Sequence, residues 1–270
     1  MTDQPLIRVD GLRKVFPGRH GRPGVTAVDD VSFTVAPGES LAIVGESGSG
    51  KTTVARMITG LERPTAGTVE VNGRPRTPGH AGAAERRRRA RETQMVFQDP
   101  YGSLDPRQRV RDTLGEILAL HFGLTRAQRA DRVAELLDQV GLDTRIAAAL
   151  PRDMSGGQRQ RVAIAKALAT RPAVLVLDEA VAALDVSIQA QVLNLLADIR
   201  DASGITYLFI SHDLAVVRQV TDRAVVMRDG AIVEANTTAD LLDHPEHPYT
   251  RLLRASVPRP GWIPARRKTS

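Results

Sequence analysis

The chain has 270 residues, no cysteine and a formal net charge of +6. That length suits one large domain, or one domain with an insertion, and allows a substantial core. The missing thiol excludes disulfides, thiolate zinc sites, cysteine-ligated iron–sulfur clusters and cysteine nucleophiles, and fits a reducing compartment. The start, MTDQPLIRVD, lacks a basic stretch leading into an apolar one, and no run of about 18 apolar residues follows, so neither signal-peptide export nor membrane spanning is expected. Two patches, ERRRRAR at 85–91 (+4) and ARRK at 265–268 (+3), hold more than the whole net charge. A nucleic-acid footprint spreads along a face with aromatics interleaved. Solvated helix or tail surface is therefore the expected role of both patches, with anionic lipid headgroups next and no nucleic acid.

In chain order, LIRVDGLRKVF and DVSFTV alternate like antiparallel strands, with PGRHGRPG between them as a loop. LAIVG at 41–45 is short and wholly apolar, as in a buried parallel sheet, and a helix from Lys51 to about Gly60 follows at once. AGTVEVNG reads as a hairpin arm, GRPRTPGHAGA as a loop, QMVFQ as a strand and DPYGSLDPR as a turn-rich connector. From about Val110 to Leu150 apolar residues recur at three and four spacing, which predicts a helical insertion. A helix over 155–169, a buried strand AVLVLDEA, a long amphipathic helix DVSIQAQVLNLLADIRDA, a strand ITYLFISHD and a hairpin RAVVMRDGAIVEA complete an alternating pattern. That alternation means an α/β fold with a parallel sheet. The tail, from DLLDHPEHPYTRLL onward, reads as a short helical piece and a Pro/Arg-rich extension.

GESGSGKTT brings Gly45, Glu46, Ser47, Gly48, Ser49, Gly50, Lys51, Thr52 and Thr53 between a buried strand and a helix start. Glycines there let backbone N–H groups wrap a phosphate chain, and the helix N-terminus favours anions. Lys51 is placed to reach the β- and γ-phosphates of a nucleotide and Thr52 to offer its hydroxyl to Mg²⁺. LVLDE ends a buried strand in Asp178, suited to hold Mg²⁺, and Glu179, suited to polarise an attacking water. Ser155, Gly156 and Gly157 open a second helix with approachable amides. One γ-phosphate is not easily enclosed by two such ends of one chain, so a head-to-tail dimer is the economical explanation. The alternative is an ordinary serine-capped helix, against which the glycine pair argues because glycine at the first helical positions costs stability.

In this order GESGSGKT, VFQD, MSGGQRQR, LVLDE, AALD and ISHD make the chain resemble the ATP-binding subunits of ABC transporters, from about residue 8 to 235. The resemblance implies the ABC ATPase variant of the P-loop NTPase fold: a RecA-like parallel-sheet core with an N-terminal antiparallel β subdomain and a helical insertion. The ATPase domain would span 1–240, with the helical subdomain at about 106–153 and an extension at 241–270. The resemblance further implies ATP and Mg²⁺ as cofactors. Gln98 would join the magnesium shell and sense a permease; Ser155, Gly156, Gly157 and Gln158 would grip ATP in trans; Asp185 would contact the opposite phosphate loop. His212 would bind the γ-phosphate, and Phe16 would stack on adenine. Each has a plainer alternative: a polar strand end for Gln98, a helix cap for Asp185, a structural histidine for His212 and a core aromatic for Phe16.

Met154 stands where the signature usually has leucine, a volume-conserving change. Ala180 and Val181 replace a frequent Pro-Thr, and Ala182 a frequent serine. GSLDPR, DVSIQAQVLNLL and HPYTRLL narrow the resemblance to the oligopeptide and dipeptide importer branch, which also includes nickel and glutathione importers. That branch implies two transmembrane permease subunits, a second ATP-binding subunit or a homodimer, an external solute-binding protein, and a peripheral place on the cytoplasmic face of the membrane. Rival readings are a soluble ABC ATPase working on DNA or ribosomes, which predicts tandem ATPase domains, a coiled coil or a zinc insertion, and a P-loop kinase or GTPase, which leaves SGGQ unexplained.

Overall fold

The structure, a computed structural model, describes residues 4–18, 23–76 and 82–255. Part of the PGRHGRPG loop, part of the GRPRTPGHAGA loop and the basic ARRK patch lie outside the described residues. The chain opens with β1 (Ile7–Phe16) and β2 (Val25–Val35), then β3 (Ser40–Val44) and α1 (Lys51–Thr59). A hairpin of β4 (Ala66–Val71) and β5 (Arg74–Pro75) turns at Asn72 and Gly73, both at positive φ as a tight hairpin turn requires. Next come α2 (Ala83–Glu92), β6 (Thr93–Val96), α3 (Pro100–Ser103), α4 (Val110–His121), α5 (Arg126–Gln139), α6 (Gly156–Leu168) and β7 (Val174–Asp178). The order closes with α7 (Val186–Ser203), β8 (Thr206–Ser211), α8 (Leu214–Val220), β9 (Arg223–Arg228), β10 (Ala231–Thr237), α9 (Thr238–Asp243) and α10 (Pro248–Ala255).

Two sheets form. The first, in order β2-β1-β4-β5, is antiparallel, and the second runs β10-β9-β3-β8-β7-β6. Within the second, β9, β3, β8, β7 and β6 pair in parallel, and β10 alone is antiparallel, as the edge partner of β9. Between their polar end residues, β3, β7 and β8 are apolar because both faces are covered. Alternate side chains of one strand enter different cores: Leu41 and Ile43 of β3, Val174 and Val176 of β7 and Leu208 and Ile210 of β8 pack toward β1, β2 and α1. Ala42 and Val44, Leu175 and Leu177, and Tyr207 and Phe209 pack on the other side with α4 to α9. The parallel sheet is thus the middle layer, and its period-2 side-chain alternation binds the two outer layers to it.

Two stretches differ from the sequence reading. α2 begins inside the stretch expected to be loop and carries the arginine run. Its Arg88, Arg89 and Arg91 are tied down within the chain: Arg88 and Arg89 donate to Glu85, Arg88 also to Glu92, and Arg91 donates to the His121 carbonyl while its guanidinium lies 4.4 Å from the Phe122 ring centre. Glu92 also closes a buried ion pair with Arg76 at 3.1 Å. Arg91 therefore joins α2 to the helical layer, while Arg86 and Arg87 stand exposed as a solvated helix face. β6 ends at Val96, so Gln98 sits beyond the strand, in an exposed loop.

Candidate active site

The carboxyl ends of β3, β8, β7 and β6, neighbours in that order, gather the candidate residues at one edge of the sheet. Ligands of open α/β sheets bind outside such ends. From β3 the backbone enters the glycine loop. A Cβ at Gly45 would meet the Met227 carbonyl oxygen at 2.2 Å, and one at Gly50 the Ala27 carbonyl oxygen at 2.3 Å, both at positive φ. Those glycines are imposed by close backbone approach; Gly48, at φ +85, faces open space instead. Gly50 is the N-cap of α1, with no side-chain cap and no acidic residue in the first turn. The first amides of α1 are left to an anion.

Lys51, 4% exposed, donates from Nζ to the carbonyls of Gly45 (2.8 Å) and Glu46 (2.7 Å). Burial lowers its pKa, and nearby Glu179, Asp178 and Glu46 oppose that shift. The Thr52 hydroxyl donates to Asp178 Oδ1 at 3.0 Å. Burial pushes the Asp178 carboxyl up against this hydrogen bond. Glu179 leaves the strand: its backbone turns to φ +48 while its N–H donates to the Ile210 carbonyl at 2.9 Å. A left-handed glutamate is strained. The turn points the two neighbouring carboxylates differently, Asp178 to Thr52 and Glu179 to His212 Nδ1, 3.1 Å away.

Gly45, Glu46, Ser47, Thr52, Gln98, Asp178, Glu179 and His212 line one cleft of about 1000 Å³. The structure thus brings together the phosphate loop, both carboxylates, the glutamine and the histidine. Thr53 stands half-buried in the first turn of α1, outside the cleft lining. Phe16, 38% exposed at the end of β1 with Lys14 Nζ 4.8 Å from its ring centre, also lies outside that lining.

The signature residues and Asp185 do not line it either. Ser155 caps α6 by accepting from Gln158 N–H at 3.2 Å, and the Gln158 side chain accepts from Ser155 N–H at 2.9 Å, a complete capping box. The inference drawn from the glycine pair needs correction at one residue. A Cβ at Gly157 would meet Ile188 Cγ2 at 2.6 Å, so packing against α7 accounts for that glycine; at Gly156 the nearest atom is Leu184 Cδ2 at 4.0 Å, leaving open space. Asp185 caps α7 through Ile188 N–H at 2.9 Å, and that hydrogen bond holds its carboxyl below the usual range. Met154 is buried in the larger core, as are Ala180 and Val181, whereas Ala182 is exposed.

Phe97, Asp99 and Asp213, inside the VFQD and ISHD motifs, also line the cleft, and sequence reasoning missed further neighbours outside any motif it used for the site. Arg56 lies four residues beyond Thr52 on the same face of α1 and lines the cleft, a spacing the sequence already displayed. Leu253 of α10 lines it too, and Tyr249 Oη accepts from the Glu46 N–H at 3.1 Å.

The ABC transporter family model matches residues 28–182, more than half of the chain. The chain belongs to the ABC transporter family. This cassette is an ATPase, and residues 233–268 match the oligopeptide/dipeptide transporter C-terminal region. It is 49% identical over 260 residues to a putative peptide import ATP-binding protein of Brucella abortus (strain 2308), covering 95% of this chain and 78% of that one. A probable peptide ABC transporter ATP-binding protein of Sinorhizobium fredii (strain NBRC 101917 / NGR234) is 47% identical over 97% of this chain and 75% of its own. Among solved structures, an ATP-binding cassette captured as a dimer in a post-hydrolysis state with ADP and Pi superposes with a TM-score of 0.77 at 28% identity, over 86% of this chain and 98% of that chain. Among the described residues no helix is long and apolar enough to cross a membrane.

Proposed function

We propose that the cassette is the ATP-hydrolysing subunit of a membrane importer for peptides or a similar small solute, and that the residues of the cleft carry the reaction. The observation that carries the catalytic reading is the pair of contacts in one cleft, Thr52 to Asp178 and Glu179 to His212, beside a helix start with uncapped amides. The peptide reading rests on the matched C-terminal region and on the names of the relatives.

Loop amides and Lys51 hold the β- and γ-phosphates, with Lys51 exchanging its loop carbonyls for phosphate oxygens. Thr52, Asp178 and Gln98 line the same cleft and offer hydroxyl, carboxylate and carboxamide oxygens, the hard donors that Mg²⁺ prefers, and few enough to leave room for water and phosphate ligands. When bound there, Mg²⁺ supplies charge neutralisation to the phosphate oxygens. Glu179 orients the attacking water and takes its proton. The water oxygen bonds to the γ-phosphorus as the bond to the bridging oxygen breaks, leaving ADP and phosphate. His212, held through Nδ1 by Glu179, keeps that carboxylate in place and contacts the γ-phosphate. Phe16 stacks on the adenine.

The Ser155–Gln158 helix start and Asp185 act on the nucleotide and phosphate loop of a second ATPase subunit, identical or related, in a head-to-tail pair. ATP closes the pair and hydrolysis reopens it, turning two permease subunits between access states through the loop around Gln98 and the helical layer at about 106–153. Under this reading the ATPase domain is 1–240 with 241–270 appended, and the cassette sits peripherally on the cytoplasmic face of the membrane. An external binding protein would deliver the solute.

The test is to isolate tagged Glu179→Gln protein from its own membranes with ATP and mild detergent and identify the chains that travel with it. Two permeases are the expected companions. Recovery of ribosomes or DNA, or of no membrane protein at all, would instead favour the soluble ABC ATPase.

A further inference from the structure

The HPYT segment belongs to no step above, yet it reaches the phosphate loop across 203 residues of sequence. The approach to α10 is fixed on β10, where the Glu234 carboxylate accepts both the Glu246 N–H (2.9 Å) and the His247 N–H (3.0 Å). His247 Nδ1 then accepts the Tyr249 N–H at 3.2 Å, which sets the first turn of α10. The Tyr249 ring is 5% exposed and lies 4.9 Å beneath the Arg228 guanidinium of β9. Its hydroxyl accepts the Glu46 N–H at 3.1 Å, and one turn further Leu253 lines the cleft.

β9 therefore meets the front of the phosphate loop twice. The Met227 carbonyl is packed so tightly against Gly45 that no Cβ fits, and Arg228, the next residue, covers the ring that holds Glu46. Gly45 and Glu46 also supply the carbonyls that receive Lys51 Nζ. A shift of the Glu46 peptide would move those acceptors and the amides that follow. A preorganised loop binds an anion without first spending free energy to order itself.

We propose that the C-terminal segment is a brace for the phosphate loop in the same chain, with Tyr249 as the positioning residue that sets nucleotide affinity through the Glu46 peptide. Tyr249→Phe removes the hydroxyl and keeps the ring under Arg228. Tyr207→Phe is the matched control: it removes another buried hydroxyl, one that donates to the Leu196 carbonyl at 2.8 Å away from the cleft.

The experiment is titration of the full chain and each variant with a fluorescent ATP analogue and Mg²⁺, alongside thermal melting and steady-state hydrolysis. Loss of one supporting hydrogen bond is expected to weaken binding about threefold to tenfold in Tyr249→Phe. KM should rise while kcat stays within about twofold, since the loop grips ground state and transition state alike. Glu234→Gln should shift affinity in the same direction, because a carboxamide replaces one of the two acceptor oxygens. Tyr207→Phe should lower the melting temperature and leave affinity unchanged. Equal affinity in Tyr249→Phe and wild type, or an equal loss in both tyrosine variants, would overturn the brace. The proposal rests on ATP binding at this loop, and no binding by the wild-type chain would sink that reading together with it.

Discussion

The glycine-bearing helices of the phosphate loop and of the signature begin differently. α1 opens at Gly50 with left-handed backbone and no side-chain cap, whereas α6 opens at Ser155 with a capping box that satisfies its own amides. The first start sits in the cleft beside Asp178, Glu179 and His212; the second sits outside the cleft lining. The uncapped start of α1 leaves amides open beside the cleft, where an anion can complete them within the same chain. A self-capped start is stable alone, and its one open glycine, Gly156, has nothing nearer than Leu184 Cδ2 at 4.0 Å, the space in which the proposed pair would seat another subunit's nucleotide. Under the proposed function, the difference would separate what a single chain does, binding ATP, from what a pair does, hydrolysing it.

The largest expected effect is at the first start. Lys51→Met removes the buried ammonium and should lower hydrolysis by about two to three orders of magnitude, with nucleotide affinity falling as well. Retained affinity would show that the loop amides suffice and that the comparison overstates the lysine. Next, Ser155→Arg places a long side chain at the second start. Nucleotide binding by the isolated chain should stay within about twofold, while hydrolysis should drop at least about tenfold; binding lost in parallel with turnover would place that helix start in its own chain's site.

Smaller effects divide the glycine pair itself. Gly157→Ala drives a methyl into Ile188 and should cost roughly 1–3 kcal/mol of stability, read from denaturant unfolding. Gly156→Ala meets nothing and should raise stability by up to about 1 kcal/mol through helix propensity while impairing turnover of the pair. If both alanines destabilise equally, the packing explanation for Gly157 alone is wrong.

Much of this was legible in the sequence because the signals are local. The apolar runs of β3, β7 and β8 reveal strands buried on both faces, and the phosphate loop is marked by its own glycines between a strand and a helix. The motif residues converge because parallel strands deliver their carboxyl ends to one edge, a consequence of the alternating pattern. What escaped the sequence depends on distant partners. Gly157 looks free until Ile188 of α7 is packed against it, and Tyr249 looks like part of a proline-bounded helix start until its hydroxyl meets Glu46. LVLDE already divides two carboxylates between metal and water, but the left-handed turn at Glu179 that aims them at Thr52 and His212 is invisible in it. The short helix α8 also escaped, although Asp213 caps it through the N–H groups of Ala215 and Val216, because seven residues carry little periodicity.

The central claim is that the Ser155 helix start completes a neighbour's nucleotide site. Its most direct test is the solution molar mass of the Glu179→Gln chain, mixed with the second ATPase chain where co-purification finds one, with and without Mg²⁺ and ATP. The account predicts a monomer without nucleotide, a two-subunit species with it, and loss of that species when Ser155→Arg is added to every subunit. Nucleotide-bound chains that stay monomeric, or a pair that forms equally well with arginine at position 155, would contradict it.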